Sequence, residues 1–357
     1  MPKLLKITYM YNEFLRNLYT KNKTLSNKSY NEQFDFIMNQ FFYESDGYQY
    51  YFKQLGYKSD EIITNALSLQ KQWAIEHNTN KIGLELLVYQ IKKYKPTILF
   101  IQEPNIFIEN PNILVDLKTE IYELKLIIVF KCSQIKEETK KVLNNADIVL
   151  TCTKSFVDMF NTMGFKTHLL HHAFDTRILE HIDNLHTKKL NKIIFAGSIL
   201  NGKGYHSKRK KHLIELLNKK LPLDIYTQHP LEHYQQYCQE PKFGLEYYQL
   251  LANYNINFNI HVDSAHSTAG NLRMFETTGV GSLLVTENQS NIDDFFTIDR
   301  EIIVYDNLYD AIEKLLWLIE NPTIANNIAI AGQKRTLMEH TFEQKVYKLH
   351  TIIYKYL

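Results

Sequence analysis

Short runs of apolar and β-branched residues alternate along the chain with longer stretches in which apolar positions recur every three or four residues. The short runs fall at 4–10, 61–65, 97–102, 126–130, 147–151 and 167–170. Amphipathic stretches such as 30–55 and 67–94 separate them. Strands alternating with helices predict βαβ units and a parallel sheet. The run ILFIQ at 98–102 is apolar on both faces, as a central strand covered by helices on both sides must be. The stretch 175–190 is charged, His-rich and poor in strand formers, so it reads as a linker. The pattern then restarts, with strand-like runs at 192–196, 223–226, 256–260, 282–286 and 301–305. The last stretch, 342–356, has the periodicity of an amphipathic helix. Two successive α/β series predict two facing Rossmann-like domains. Open α/β sheets bind ligands outside the carboxyl ends of their strands, so the residues just after each run are the ones to inspect.

Composition narrows the classes. The chain has 357 residues, a length that suits two domains of ordinary size. Hydrophobic residues make up 45% and charged residues 22%, the balance of a globular protein in water. A formal net charge of +2 excludes a molecule that holds nucleic acid by its overall field, and no stable nucleic-acid partner is expected. Cys132, Cys152 and Cys238 are scattered and lack metal-ligand spacing, which predicts free thiols in a reducing compartment. The N-terminal segment MPKLLKITYMYNEF has no signal-peptide pattern, so a cytoplasmic location is expected. The longest apolar runs, 124–130 and 281–285, are strand-sized and too short to span a membrane.

Two segments carry candidate chemistry. In the first, FAGSILNGKGYHSKRKK, a strand ends at Ala196-Gly197-Ser198. A loop with Gly202 and Gly204 follows, and a helix begins near Ser207. Free backbone N–H groups and the helix dipole make such a junction an anion site. His206 and Arg209 stand at the helix start, with Lys203, Lys208, Lys210 and Lys211 nearby. For the lysines a solvated helix face is the plainer reading. Arg209 opposes the dipole at a helix start and so needs a reason to be there. The loop lacks the Gly-Lys-Ser/Thr ending of a Walker A loop.

In the second segment, NIHVDSAHSTAGNLRMFETTGVGSLLVTE, a strand runs into a small polar loop and a helix starts near Asn271. Arg273 and Glu276 are three apart and share one helix face. Arg273, with the loop backbone at Gly270 and Asn271, forms a candidate diphosphate site. Glu276, one turn deeper, is positioned to accept two hydrogen bonds from a ribose diol. Thr268 and Ala269 lie in the small polar loop just before this helix. The bland alternative is an Arg–Glu surface pair on an exposed helix.

The stretches NLRMFETTGVGSLLVTE, REIIVYDNLYDAIEKL and AGQKRTLMEHTFEQ resemble the C-terminal domain of bacterial glycosyltransferases related to spore maturation protein CgeB. An Arg-x-x-Glu helix, a Thr-Gly turn and a Gly-Gln-x-Arg…His-Thr segment recur there in this order. The upstream FAGS with His206 and Arg209 also matches, as do LQKQWA, YKPTILFIQE and LLHHAFDTRIL in the first half. The arrangement of Arg209, Arg273 and Glu276 is also similar to that of phage DNA glucosyltransferases, which implies that His206 and Arg209 join Arg273, Gly270 and Asn271 at one diphosphate site. The resemblance implies the GT-B fold, with an acceptor-binding domain at 1–180, a nucleotide-sugar domain at 190–339, and a final helix, 340–357, returning to the first domain. It implies a nucleotide-diphosphate sugar as co-substrate, a glycan, a protein or another molecule as acceptor, and no cofactor. The resemblance makes Thr268 and Ala269 the candidate donor-sugar loop; many retaining GT-B enzymes carry a second glutamate at the position that is Thr268 here, so the donor sugar and the stereochemical outcome stay open.

No two aspartates are separated by one residue, so the metal-holding Asp-x-Asp pair of GT-A transferases is absent and metal-independent chemistry is expected. Fixed cations and helix dipoles would stabilise the leaving diphosphate instead. Candidate bases at strand ends are Glu103 and His172, the latter beside His171; a helix cap or a packing role is the alternative for each. Glu44 and Asp46 lie in a polar break between helical stretches that could line the acceptor side. Trp73, Tyr48, Tyr50 and Tyr51 could stack on an acceptor sugar, although aromatics at such spacing are more often core. Two rival readings stay open: a nucleotide-sugar 2-epimerase of similar fold, and a non-catalytic nucleotide-sugar or polyanion binding module.

Overall fold

The computed structural model describes residues 1–183, 189–200, 207–261 and 268–357. The chain divides into two compact units, Met1–Leu170 with Val346–Leu357, and His171–Lys345.

In the first unit the chain runs β1 (Lys3–Thr8), α1 (Asn12–Lys21), α2 (Tyr30–Met38), α3 (Gly47–Gln54), β2 (Lys58–Ile63), α4 (Leu67–Glu76) and α5 (Gly83–Tyr94). It continues through β3 (Ile98–Ile101), α6 (Ile113–Glu120), β4 (Leu126–Phe130), α7 (Glu137–Leu143), β5 (Ile148–Thr151), α8 (Lys154–Thr162) and β6 (Thr167–Leu169). All strand pairings are parallel, in the order β2-β1-β3-β4-β5-β6. The four residues of β3 are wholly buried, as their two-sided apolar character requires. Leu99, Ile101, Ile127 and Val129 pack on one face against Leu117 and Phe160.

Two long amphipathic stretches are broken in the fold. The stretch 30–55 becomes α2 and α3, because Phe41, Tyr43 and Ser45 adopt left-handed backbone between them (φ 53°, 58° and 39°). The stretch 67–94 becomes α4 and α5, with Asn78 at φ 51° after the first. β2 begins three residues before the apolar run that marks it, since an edge strand tolerates Lys58 and Asp60 facing water.

The cysteines correct the expectation of free thiols. Cys132 and Cys152 form a disulfide, with Cα atoms 5.6 Å apart. They are 20 residues apart in sequence but lie just past the ends of the adjacent parallel strands β4 and β5, where Phe130 already faces Leu150.

The second unit contains β7 (Leu190–Ala196), α9 (Ser207–Asn218), β8 (Leu223–Tyr226), β9 (Cys238–Gln239), α10 (Leu245–Ala252), β10 (Tyr254–Asn259), α11 (Leu272–Gly279) and β11 (Leu283–Glu287). β12 (Ile303–Tyr305), α12 (Leu308–Glu320), α13 (Pro322–Glu339) and α14 (Phe342–Tyr354) follow. The sheet is parallel, in the order β12-β11-β10-β7-β8-β9. Counted within the unit, this is the Rossmann order 3-2-1-4-5-6, and its reversal lies between β7 and β10. The two-residue β9 has no apolar run to announce it.

The division of the chain falls ten residues before the expected end of the first domain. Residues 171–180 pack with the second unit: Phe174 bridges to Thr341, and the Asp175 side chain caps a short helix at Thr176–Glu180 and clasps Arg177. Near the C-terminus the division comes at Val346, inside α14, rather than at 340. His350 and Tyr356 hydrogen-bond Tyr57 and His168, all within the first unit (2.7 Å each).

Candidate functional site

The site assembles at the reversal point of the second sheet. β7 ends at Ala196 and Gly197 follows it. A Cβ built on Gly197 would stand 3.3 Å from Arg273 Nη1 and 3.8 Å from Arg209 Nη1. The glycine thus lets two guanidinium groups, 64 residues apart in sequence, close on one backbone point. Two cations this near repel each other, and an anion between them relieves the repulsion.

Each arginine is held differently. Arg209, in the first turn of α9, donates from Nη1 to Ser198 O (2.8 Å) and from Nη2 to Ile260 O (2.9 Å). Its fork therefore ties together the loops leaving β7 and β10, and its plane lies near the Phe195 ring (5.8 Å). The sequence reading gave Arg209 the single role of phosphate ligand. Its two terminal nitrogens also serve backbone carbonyls, which a strand-to-strand junction supplies and a linear sequence does not display. Arg273, the second residue of α11, is half-buried over the Tyr247 ring (5.5 Å).

α11 starts where it does because Asn271 caps it. The Asn271 side chain accepts from Met274 N (3.3 Å) and donates to Asn259 Oδ1 (3.1 Å), which fixes the helix on the end of β10. Gly270, just before, has φ 134°, a conformation open to glycine. Ala269 is buried and held by Asn291: its N–H donates to Asn291 Oδ1 (2.6 Å), and its carbonyl accepts from Nδ2 (3.2 Å). Thr268 is half-buried beside it.

Glu276 is not a surface residue. It is 7% exposed, and its carboxylate accepts from Tyr247 OH (2.9 Å) and Tyr248 OH (3.3 Å) on α10. Burial pushes its carboxyl above the ordinary range, against the pull of the Arg273 charge and the two hydroxyls. A carboxylate has about four lone-pair sites, so two tyrosines leave acceptor capacity for a diol.

The Gly-Gln-x-Arg…His-Thr segment turns out to buttress this helix. Gln333 Nε2 donates to Gly279 O at the end of α11 (3.0 Å), and Thr278 and Thr336 share a hydroxyl bond (2.6 Å). Arg335 Nε (3.2 Å) and His340 Nε2 (2.9 Å) both reach Phe295 O.

Sequence reasoning missed Tyr247, Tyr248, Asn259, Asn291, His261 and Glu287. The Glu287 carboxylate, at the end of β11, accepts from His261 N (2.6 Å). Burial alone would raise the Glu287 carboxyl, but the His261 hydrogen bonds and the Lys208 charge outweigh it and hold it below the usual range. Lys208 lies 4.0 Å from Glu287, and Lys210 lies 3.6 Å from Glu232, so these lysines pair with nearby acids. His206 and the loop with Gly202 and Gly204 lie outside the described residues.

In the first unit, Glu103 caps a short helix at Pro104–Phe107 by accepting from Asn105 N (3.0 Å), which is the capping alternative to a catalytic base. Gln102, at the end of β3, donates to Glu44 Oε2 (3.1 Å), and Glu44 is 4% exposed. Glu44 sits within the left-handed segment of Phe41, Tyr43 and Ser45, and such strain gathers at functional sites. Tyr48 and Tyr51 are core, whereas Tyr50 is 40% exposed. In the second unit His172 is buried, and His171 packs edge-on against Phe295 (4.8 Å).

Residues 209–351 match the family model described as glycosyl transferase-like. No curated protein sequence matches the chain. Among solved structures, HepE from Anabaena, in complex with UDP and glucose, has a TM-score of 0.65 at 10% identity, over 99% of this chain and 100% of that one. A glycosyltransferase from Rickettsia africae ESF-5 has a TM-score of 0.60 at 12% identity, over 98% and 97%. Sucrose-phosphate synthase from Thermosynechococcus elongatus has a TM-score of 0.60 at 9% identity, over 99% and 98%. Among the described residues no helix is long and apolar enough to cross a membrane. The chain is thus GT-B in fold, and its second unit carries most of the match to the glycosyl transferase-like family.

Proposed function

We propose that this protein is a glycosyltransferase that takes a sugar from a nucleoside-diphosphate donor held by the second unit. The observation that carries the reading is the closure of Arg209 and Arg273 on Gly197, at the reversal point of a Rossmann-ordered sheet. In this reading Arg273 and the capped start of α11 hold the diphosphate. Arg209 adds charge and keeps the two strand ends together. Glu276 takes the ribose hydroxyls, and the backbone around Thr268 and Ala269 faces the donor sugar. The HepE neighbour was solved with UDP, which favours a uridine nucleotide as the first donor to test.

Transfer breaks the bond between the anomeric carbon and the diphosphate oxygen, and the electron pair leaves with the diphosphate. The acceptor hydroxyl forms the new bond, and its proton passes to a carboxylate, an imidazole or the departing phosphate oxygen. Glu103, His172 and the buried Glu44 are the protein groups to test for that step. The first unit is assigned the glycan or protein acceptor. With two guanidiniums and a helix N-terminus at the diphosphate, the chemistry needs no divalent ion or other cofactor.

Turnover of UDP-glucose in a panel of acceptors should therefore persist in EDTA. Loss of transfer in EDTA, with recovery on adding Mn²⁺ or Mg²⁺, would refute the metal-free part of the reading. Glu276→Ala should weaken binding of UDP roughly tenfold, since hydrogen bonds to a charged group are worth about 1.5–3 kcal/mol. Uridine itself should lose as much, because the lost contact is to ribose. Titration calorimetry with both ligands measures this, and unchanged uridine affinity would remove Glu276 from the nucleoside site. Isomerised sugar nucleotide released without any acceptor would favour the epimerase instead.

A further inference from the structure

The first unit contains a cavity of about 610 Å³ along the edge strand β2, lined by residues of α2, α3, α4 and α5. That volume falls within the range of small-molecule sites. We infer that it is a binding site for a neutral, hydroxyl-rich ligand, a carbohydrate segment, independent of the nucleotide site.

Gln90, on α5, lines the cavity and is 4% exposed, yet neither atom of its side-chain amide has a hydrogen-bond partner among the described residues. Glu61, also in the wall and 3% exposed, uses Oε1 for Lys6 Nζ (2.8 Å) and for Thr8, while Oε2 has no hydrogen-bond partner. A buried polar group left unpaired forfeits its hydration without compensation, so it favours a ligand that can pair with it. Two such groups in one cavity wall offer a donor and two kinds of acceptor to a ligand that carries hydroxyls.

The apolar part of the wall is aromatic. Tyr30, Phe34, Tyr50 and Trp73 contribute rings, and Trp73 is held rigid by stacking on His77 (3.7 Å between centroids). Rings beside amide and carboxylate groups suit the alternating C–H and O–H surfaces of a sugar. The charges exclude an anion: Asp35, Asp46, Asp60 and Glu61 outnumber Lys53 and Lys93 in the lining. Lys6 further neutralises Glu61 through their buried pair, which lessens the demand for a cationic ligand.

The test uses the full chain without nucleotide, with maltotriose and N,N′-diacetylchitobiose as probes and spermidine as a cationic control. Ligand-observed saturation-transfer NMR should show at least one saccharide bound at millimolar concentration. Gln90→Leu should weaken that binding roughly tenfold, and so should Tyr50→Ala, at a position 40% exposed to solvent. Gln90→Leu should melt at the wild-type temperature or above it, because removing both unpaired atoms leaves nothing unsatisfied. Arg273→Ala should bind the saccharide like wild type, which separates this site from the nucleotide reading. No saccharide signal, spermidine binding in its place, equal binding by Gln90→Leu, or a clear drop in its melting temperature would each overturn the inference.

Discussion

Arg273→Ala is expected to weaken UDP binding at least tenfold and to lower turnover by more than it lowers affinity. The guanidinium sits beside Gly197 with Arg209, where charge-assisted hydrogen bonds to a diphosphate are worth roughly 1.5–3 kcal/mol each. Each 1.4 kcal/mol is about a factor of ten. Charge on the diphosphate grows as the sugar departs, so the cation matters most in the transition state, and kcat should fall as well. Arg273→Lys should recover only part of the loss, since an ammonium cannot reproduce the planar fork. The fold should survive, because Arg273 is half-buried on the first turn of α11 and the helix keeps its Asn271 cap. Calorimetry with UDP, together with kcat and KM for UDP-glucose, measures the effect. Wild-type affinity in the alanine variant would return Arg273 to an ordinary helix-surface role.

A second large effect is expected at a residue outside the candidate site. Gly332 lies inside α13, where a Cβ would meet Glu301 O at 2.3 Å and Thr278 Cγ2 at 3.5 Å. The first neighbour is backbone and cannot rotate away. Alanine gains up to about 1 kcal/mol of helix propensity over glycine, but overpacking of this kind costs about 1–3 kcal/mol and at times more. The clash should win. Gly332→Ala is expected to lower the melting temperature of the second unit by several degrees, on the order of 2–4 °C per kcal/mol for a unit of this size. It should also weaken UDP binding, because α13 supports α11 through Gln333 and Thr336. Calorimetric melting of the variant with and without UDP tests both halves. A melting temperature at or above wild type would show that α13 and the turn at Glu301 part without penalty.

Much of the framework could be read from hydrophobic periodicity. Among the described residues, ten strands of three or more residues coincide with apolar runs, and an eleventh, β2, overlaps its run from three residues upstream. The buried β3 and the polar edge of β2 show why: a central strand must be apolar on both faces, whereas an edge strand need not be. Helix breaks were harder to see. The segment around Phe41, Tyr43 and Ser45 turns through left-handed backbone without glycine, and no residue-type signal marks such turns. The Cys132–Cys152 pairing was hidden for a related reason, since it depends on β4 and β5 being neighbours.

The candidate site divides in the same way. The chain alone determined that Arg273 and Glu276 share a helix face after a strand, because an Asn cap and a three-residue spacing are local facts. It also determined the absence of an Asp-x-Asp pair. Only the tertiary structure decided that β10 lies beside β7, which makes the reversal point and brings Arg209 and Arg273 to Gly197. It alone decided that Tyr247 and Tyr248 hold Glu276, and that Ser198 and Ile260 lend their carbonyls to Arg209. The physical reason is range. Periodicity and capping act within a few residues, whereas strand order is set by which apolar faces can be buried together across the whole unit.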